Sequence, residues 1–106
     1  MAWILLGVAG LLEIVWAFAM KQSEGFTRMG PTAIMLIAML ASFWLLSLAM
    51  KILPLGTAYM VWTGIGAVGA FLVGWLVLGE EAGAMRIAAA VMIVGGLVLM
   101  KHASPG

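Results

Sequence analysis

Five residues of this sequence have side chains suited to chemistry and stand within long apolar runs: Glu13, Trp16, Ser42, Tyr59 and Trp62. Glu13 is the most telling. It interrupts GLLEIVWAFAMK, residues 10–21, and an ionised acid at a membrane-helix centre costs about 2.5–3.5 kcal/mol on insertion scales. Of the 4 acidic residues it is the only one deep inside an apolar run, and no Lys or Arg lies at comparable depth to neutralise it. An unpaired carboxyl in such a place is a functional group by default. It can hold a proton or a cation, but not both comfortably, and mutual exclusion at one group is the simplest route to proton-coupled cation exchange. The competing reading is a glutamate kept neutral by burial and hydrogen bonded to a neighbouring helix.

Helical spacing puts Ala9, Gly10, Trp16, Ala17 and Met20 on the face of Glu13. The small residues leave room for something to approach the carboxyl. Ser42 lies at similar depth in the second apolar run. Its hydroxyl either orients the Glu13 carboxyl or bonds a backbone carbonyl one turn back, as is common in membrane helices. In GTAYMVWTGIGAVG, residues 56–69, Tyr59, Trp62, Thr63, Gly66 and Gly69 recur at helical spacing and form one stripe. Tyr59 also suits an interfacial belt, whereas Trp62 sits a turn deeper, where its indole N–H needs a partner. Gly64 and Gly66 lower helix stiffness and place a bend there. With Trp16, the stripe can box a cation through cation–π attraction.

These residues need elements to carry them. The chain has 106 residues, 66% apolar and 8% charged, far from the roughly 25% charged residues of soluble domains. This is a membrane protein. A helix needs about 20 apolar residues to cross the hydrocarbon, and four such spans are read at about 2–20, 31–50, 57–78 and 84–100. Lys21 to Gly25, the turn Leu53-Pro54-Leu55-Gly56 and Gly79-Glu80-Glu81 separate them, with Pro31 in the first turn of the second. One four-helix transmembrane domain uses the whole chain and leaves no soluble domain. Ala17-Phe18-Ala19 resembles a cleavage site, but no Lys or Arg precedes the run and Glu13 breaks it, so the first segment is expected to stay as a mature helix.

Several function classes fall away. There is no cysteine, hence no disulfide or thiolate metal site. A net charge of +1 offers no basic patch for nucleic acid. No nucleophile–base pair, metal-ligand cluster or phosphate loop is present, so neither an enzyme nor a cofactor is expected. Charge does little to orient the chain: one face carries Lys51 and Lys101, the other Lys21, Arg28 and Arg86. A weak bias and a dual topology, in which two copies pair head-to-tail, both fit this near-tie. Four short helices are also poor at enclosing a polar pathway alone, so an oligomer is expected. Ala88, Ala89, Gly95 and Gly96 of the last helix are available for close packing.

The sequence closely resembles the small multidrug resistance family of bacterial inner-membrane exporters, and the resemblance covers essentially the whole chain. It rests on the length, the four short-looped spans, Glu13, the SEGFTR stretch at residues 23–28 and the Gly-rich third span. Glu13-Ile14-Val15-Trp16, Ser42-Phe43 and GTAYMVWTGIGAVG resemble the guanidinium-exporter subtype, Trp16 being the most discriminating feature. The resemblance implies an all-α membrane protein working as an antiparallel homodimer in the inner membrane. In it both Glu13 carboxyls bind substrate or protons, and Trp16, Ser42, Tyr59 and Trp62 line the site. Ser42 and Trp16 would hold the carboxyls, and Met39 and Phe43 would flank a side opening. The implied partners are guanidinium or a related small cation, protons, lipid and a second copy. Met60 and the adjacent Gly95-Gly96 depart from the family pattern.

Two rivals stand beside that reading. A broad quaternary-ammonium exporter would use the same Glu13, and the methionine-rich second span would suit greasy substrates. A non-transporting structural subunit would use Glu13 only to pin helices together.

Overall fold

Long apolar runs punctuated by Pro, Gly and charge leave the backbone one solution in lipid, which is to bond within helices. The computed structural model, described over residues 1–103, has four: α1 (Ala2–Gln22), α2 (Met29–Ala49), α3 (Leu55–Leu76) and α4 (Ala84–Ala103). Each holds 20–22 residues, about 30 Å at 1.5 Å per residue, which matches the hydrocarbon thickness. All four are long and apolar enough to cross a membrane.

The ends differ by up to three residues from those read in the sequence, for local reasons. α1 continues through Lys21 to Gln22 because a lysine in the last turn complements the helix dipole and reaches the interface. Pro54 is extended, with φ −60° and ψ 151°, and serves as the N-cap of α3. Leu55 and Gly56, read as turn, are therefore already helical. α2 starts at Met29, with Pro31 in its first turn, where a missing N–H leaves no bond unmade.

Between α1 and α2, Glu24, Gly25 and Phe26 have φ of 50°, 74° and 70°. Buried Ser23 holds this left-handed stretch together: its Oγ donates to the Met20 carbonyl (2.7 Å) and accepts from the Phe26 amide (3.1 Å). After α3, Gly79 takes φ 73° and the Glu80 amide donates back to the Gly74 carbonyl (2.8 Å).

α1 is the central helix, packed against α2 on one side and α3 on the other, while the backbones of α2 and α3 come close at few points. The α4 backbone comes close to α3 alone, and none of its described residues is buried. The result is a slab of 42 × 34 × 16 Å. Its core is Leu6, Ala9, Leu46, Ala49, Leu53, Ala58, Val61 and Trp62. Alanines at the crossings let backbones approach closely, as packing in lipid requires.

Candidate functional site

Glu13 lies eleven residues into α1, about 16 Å from its start and so near mid-membrane. Its side chain is half-buried against α3 at Gly66, where a Cβ would occupy the space of the Glu13 Oε1 and Cδ atoms. A glycine is therefore required at position 66 for the carboxyl to sit where it does. Oε1 is buried and has no hydrogen-bond partner among the described residues. The Trp16 indole N–H, one turn further along the same face, is likewise buried and unpaired.

Ser42 is fully buried and makes a bond that the sequence did not disclose. Its hydroxyl donates to the Ala9 carbonyl of α1 (2.7 Å) and accepts from the Trp62 indole N–H (2.9 Å). Within one subunit it thus touches neither the Glu13 carboxyl nor a carbonyl of its own helix. It ties α1, α2 and α3 together one turn away from Glu13. Trp62 thereby obtains the partner that its depth demands.

The aromatic side chains form a continuous wall across three helices. Trp16 meets Phe43 edge-on with centroids 6.3 Å apart, Phe43 meets Trp62 at 5.7 Å, and Trp62 meets Tyr59 at 5.6 Å. Phe43 and Tyr59 remain substantially exposed, at 44% and 52%. Met39, one turn from Phe43, is half-buried. The wall is therefore open on one side rather than an enclosed chamber, and Glu13 stands one turn before Trp16 on the same face of α1. Such a surface holds donors and π-faces together with one unpartnered acceptor, which is the chemistry needed to grip a small cation.

The other glycines of the stripe are packing points. A Cβ at Gly69 would meet the Ile14 side chain, and one at Gly64 the Leu97 side chain of α4, so both positions admit a neighbouring helix. α3 runs as helix without interruption through Gly64 and Gly66. Thr63 and Met60 are exposed and, with Tyr59 at its edge, line a groove towards Ile93 of α4. Ser47 bonds the Trp44 carbonyl within its own helix (2.8 Å). Gly95 and Gly96 face open space. Among the described residues no group of His, Cys, Asp and Glu comes together that could hold a metal.

Comparison with known proteins identifies the family. The family model for the Small Multidrug Resistance protein matches residues 1–94. The chain is 54% identical to the guanidinium exporter of Yersinia pseudotuberculosis over 104 residues, covering 98% of this chain and all of the relative. It is 54% identical to the guanidinium exporter of Escherichia coli K12 over 101 residues, 95% of this chain and 96% of the relative. For that of Citrobacter freundii the identity is 52% over the same shares. Four helical spans and bacterial exporter relatives make this a multi-pass inner-membrane transport protein and not an enzyme. With a family model covering nearly the whole chain and relatives matched end to end, the chain belongs to the small multidrug resistance family.

Proposed function

We propose that this protein is a proton-coupled antiporter that exports guanidinium, and that proton and substrate compete for Glu13. The observation that carries the reading is the Glu13 carboxyl, the one intramembrane acid of the chain, seated on Gly66 with a buried oxygen that has no partner among the described residues. Guanidinium is planar and permanently charged, and its paired N–H groups match a carboxylate in bidentate fashion. The π-faces of Trp16, Trp62 and Tyr59 suit a flat cation. The free Trp16 N–H can steady the carboxyl as the cation comes and goes. The relatives named guanidinium exporter support the choice of substrate.

The surface is one-sided, so a second copy supplies the opposite wall. An antiparallel homodimer brings two Glu13 carboxyls to one site, and its two halves exchange roles as access alternates between the membrane faces. α4, unburied in the single subunit, is free to pack against that copy. Gly64 and Gly66 lower the stiffness of α3 where such a rearrangement would bend it.

A second reading, export of bulky quaternary ammonium ions, draws on the exposed Phe43 and half-buried Met39, which would pass a greasy substituent sideways into lipid. The deciding experiment is guanidinium uptake into proteoliposomes under an imposed proton gradient, beside Glu13→Gln. Gradient-driven uptake by the wild type, lost in the folded variant, is expected. Tetraalkylammonium flux without guanidinium flux would select the second reading, and no flux of either cation would leave Glu13 a structural acid.

A further inference from the structure

Within one subunit, the membrane face that holds the start of α1, the α2–α3 connection and the end of α4 carries Lys51, Lys101 and His102 but no Asp or Glu. Glu24, Glu80 and Glu81 all lie at the opposite face, and Glu13 lies between. At this basic face α1, α3 and α4 leave a groove of about 600 Å³, walled by Val61, Ile65, Leu97 and Val98. That volume falls in the range of about 300–1,000 Å³ that holds drug-sized ligands.

The mouth of the groove is polar and incompletely satisfied. Trp3, Lys101 and His102 line it. The Lys101 ammonium stands 4.5 Å from the Trp3 ring centroid, a cation–π contact that holds it over the groove with no acidic side chain of its own subunit on that side of the membrane. The Trp3 Nε1 atom is buried and makes no hydrogen bond among the described residues, and an indole N–H in that position needs an acceptor. Lys101 and His102 belong to the last turn of a helix about 30 Å long, which places them at headgroup depth.

The geometry points to an anionic phospholipid bound here. Its phosphate meets Lys101 and His102, an ester carbonyl accepts from Trp3 Nε1, and an acyl chain runs along Val61, Ile65, Leu97 and Val98. Basic pockets between membrane helices recognise headgroups in this way. The inference does not depend on which cation is transported, and its test reads bound lipid rather than flux.

The test is native mass spectrometry of the full-length protein with phosphatidylglycerol and phosphatidylcholine of matched chains. Wild type is expected to retain phosphatidylglycerol preferentially. Lys101→Gln should cut that preference roughly fivefold, the effect of about 1 kcal/mol per cation near the surface. Trp3→Phe, which keeps the ring beneath Lys101 but lacks the N–H, should weaken both lipids alike. Val98→Trp, a change at a half-exposed position that fills the groove, should expel both while the helical circular dichroism is unchanged. Equal retention of the two lipids by wild type, or a preference that survives Lys101→Gln, overturns the inference. So does displacement of phosphatidylglycerol by an equal concentration of inorganic phosphate, which would mark a site for free anions. A Val98→Trp protein that keeps its lipid but changes its dimer-to-monomer ratio would place a second copy in the groove instead.

Discussion

The Glu13 carboxyl and Gly66 occupy one shared volume: the carboxyl fills the space that any other residue at position 66 would need for its Cβ. The atoms that would have to yield to an added methyl are the far end of a flexible side chain. Gly66→Ala should therefore leave the fold intact and re-aim the carboxyl. The expected outcome is guanidinium transport lowered by about tenfold or more, as small misplacements of a binding group produce, with thermal unfolding in detergent within a few degrees of wild type. Unchanged transport would show that Glu13 acts from a position other than the one against Gly66.

Gly10 makes the opposite prediction on the same helix pair. A Cβ there would stand 2.8 Å from the Ile65 Cβ, the branched root of a stiff side chain that cannot swing away. Gly10→Ala should push α1 from α3 and destabilise the protein by about 1–3 kcal/mol, the usual range for overpacking. Denaturation in mixed detergent micelles measures it, and a neutral result would mean that the α1–α3 seam is loose.

These two glycines show where reading the sequence stops. The four helices were legible because hydropathy, Pro and Gly act locally, and their ends lie within three residues of those read, as where Pro54 caps α3 and Lys21 extends α1. Glu13 was legible because an acid in an apolar run is anomalous by itself. Gly66 was read as a point of flexibility, and its place beneath Glu13 depends on which faces of α1 and α3 meet. Ser42 reads in the sequence as a hydroxyl that either orients the Glu13 carboxyl or bonds a carbonyl one turn back in its own helix, and within one subunit it does neither. The spacing could not name Ala9 as its acceptor, since that bond joins residues 33 apart.

The Ser42–Trp62 bond should reveal itself in a double-mutant cycle. Ser42→Ala strands the buried Trp62 N–H and removes a second donor from the Ala9 carbonyl, whereas Trp62→Phe leaves Ser42 still donating to Ala9. The two changes should combine to less than their sum, with a coupling of about 0.5–1.5 kcal/mol, in line with side-chain bonds measured between membrane helices. Strict additivity would mean that the bond contributes nothing to stability.

Trp16 closes one end of the aromatic wall through its edge contact with Phe43. Trp16→Ala removes a ring and an N–H donor from beside Glu13 and opens room for a bulkier cation. Guanidinium transport should fall relative to that of a tetraalkylammonium ion by about tenfold, the low end of what pocket shape alone discriminates. The measurement is paired flux of the two cations through the same proteoliposomes. An unchanged ratio would free Trp16 of any part in selectivity.

The last prediction concerns pH, and its sign follows from competition at one carboxyl. A protonated Glu13 offers no charge to guanidinium, so binding must weaken as pH falls and level off once the carboxyl is fully ionised. If one proton is exchanged at each carboxyl engaged by a cation, the apparent Kd should rise by about tenfold per pH unit on the acidic limb. No other acid within the spans can substitute. In Glu13→Gln both the affinity and its pH dependence should therefore vanish together. Calorimetric titration of guanidinium across pH, on wild type and variant, reads both quantities. Tight binding that ignores pH would remove the proton from Glu13 and, with it, this account of coupling.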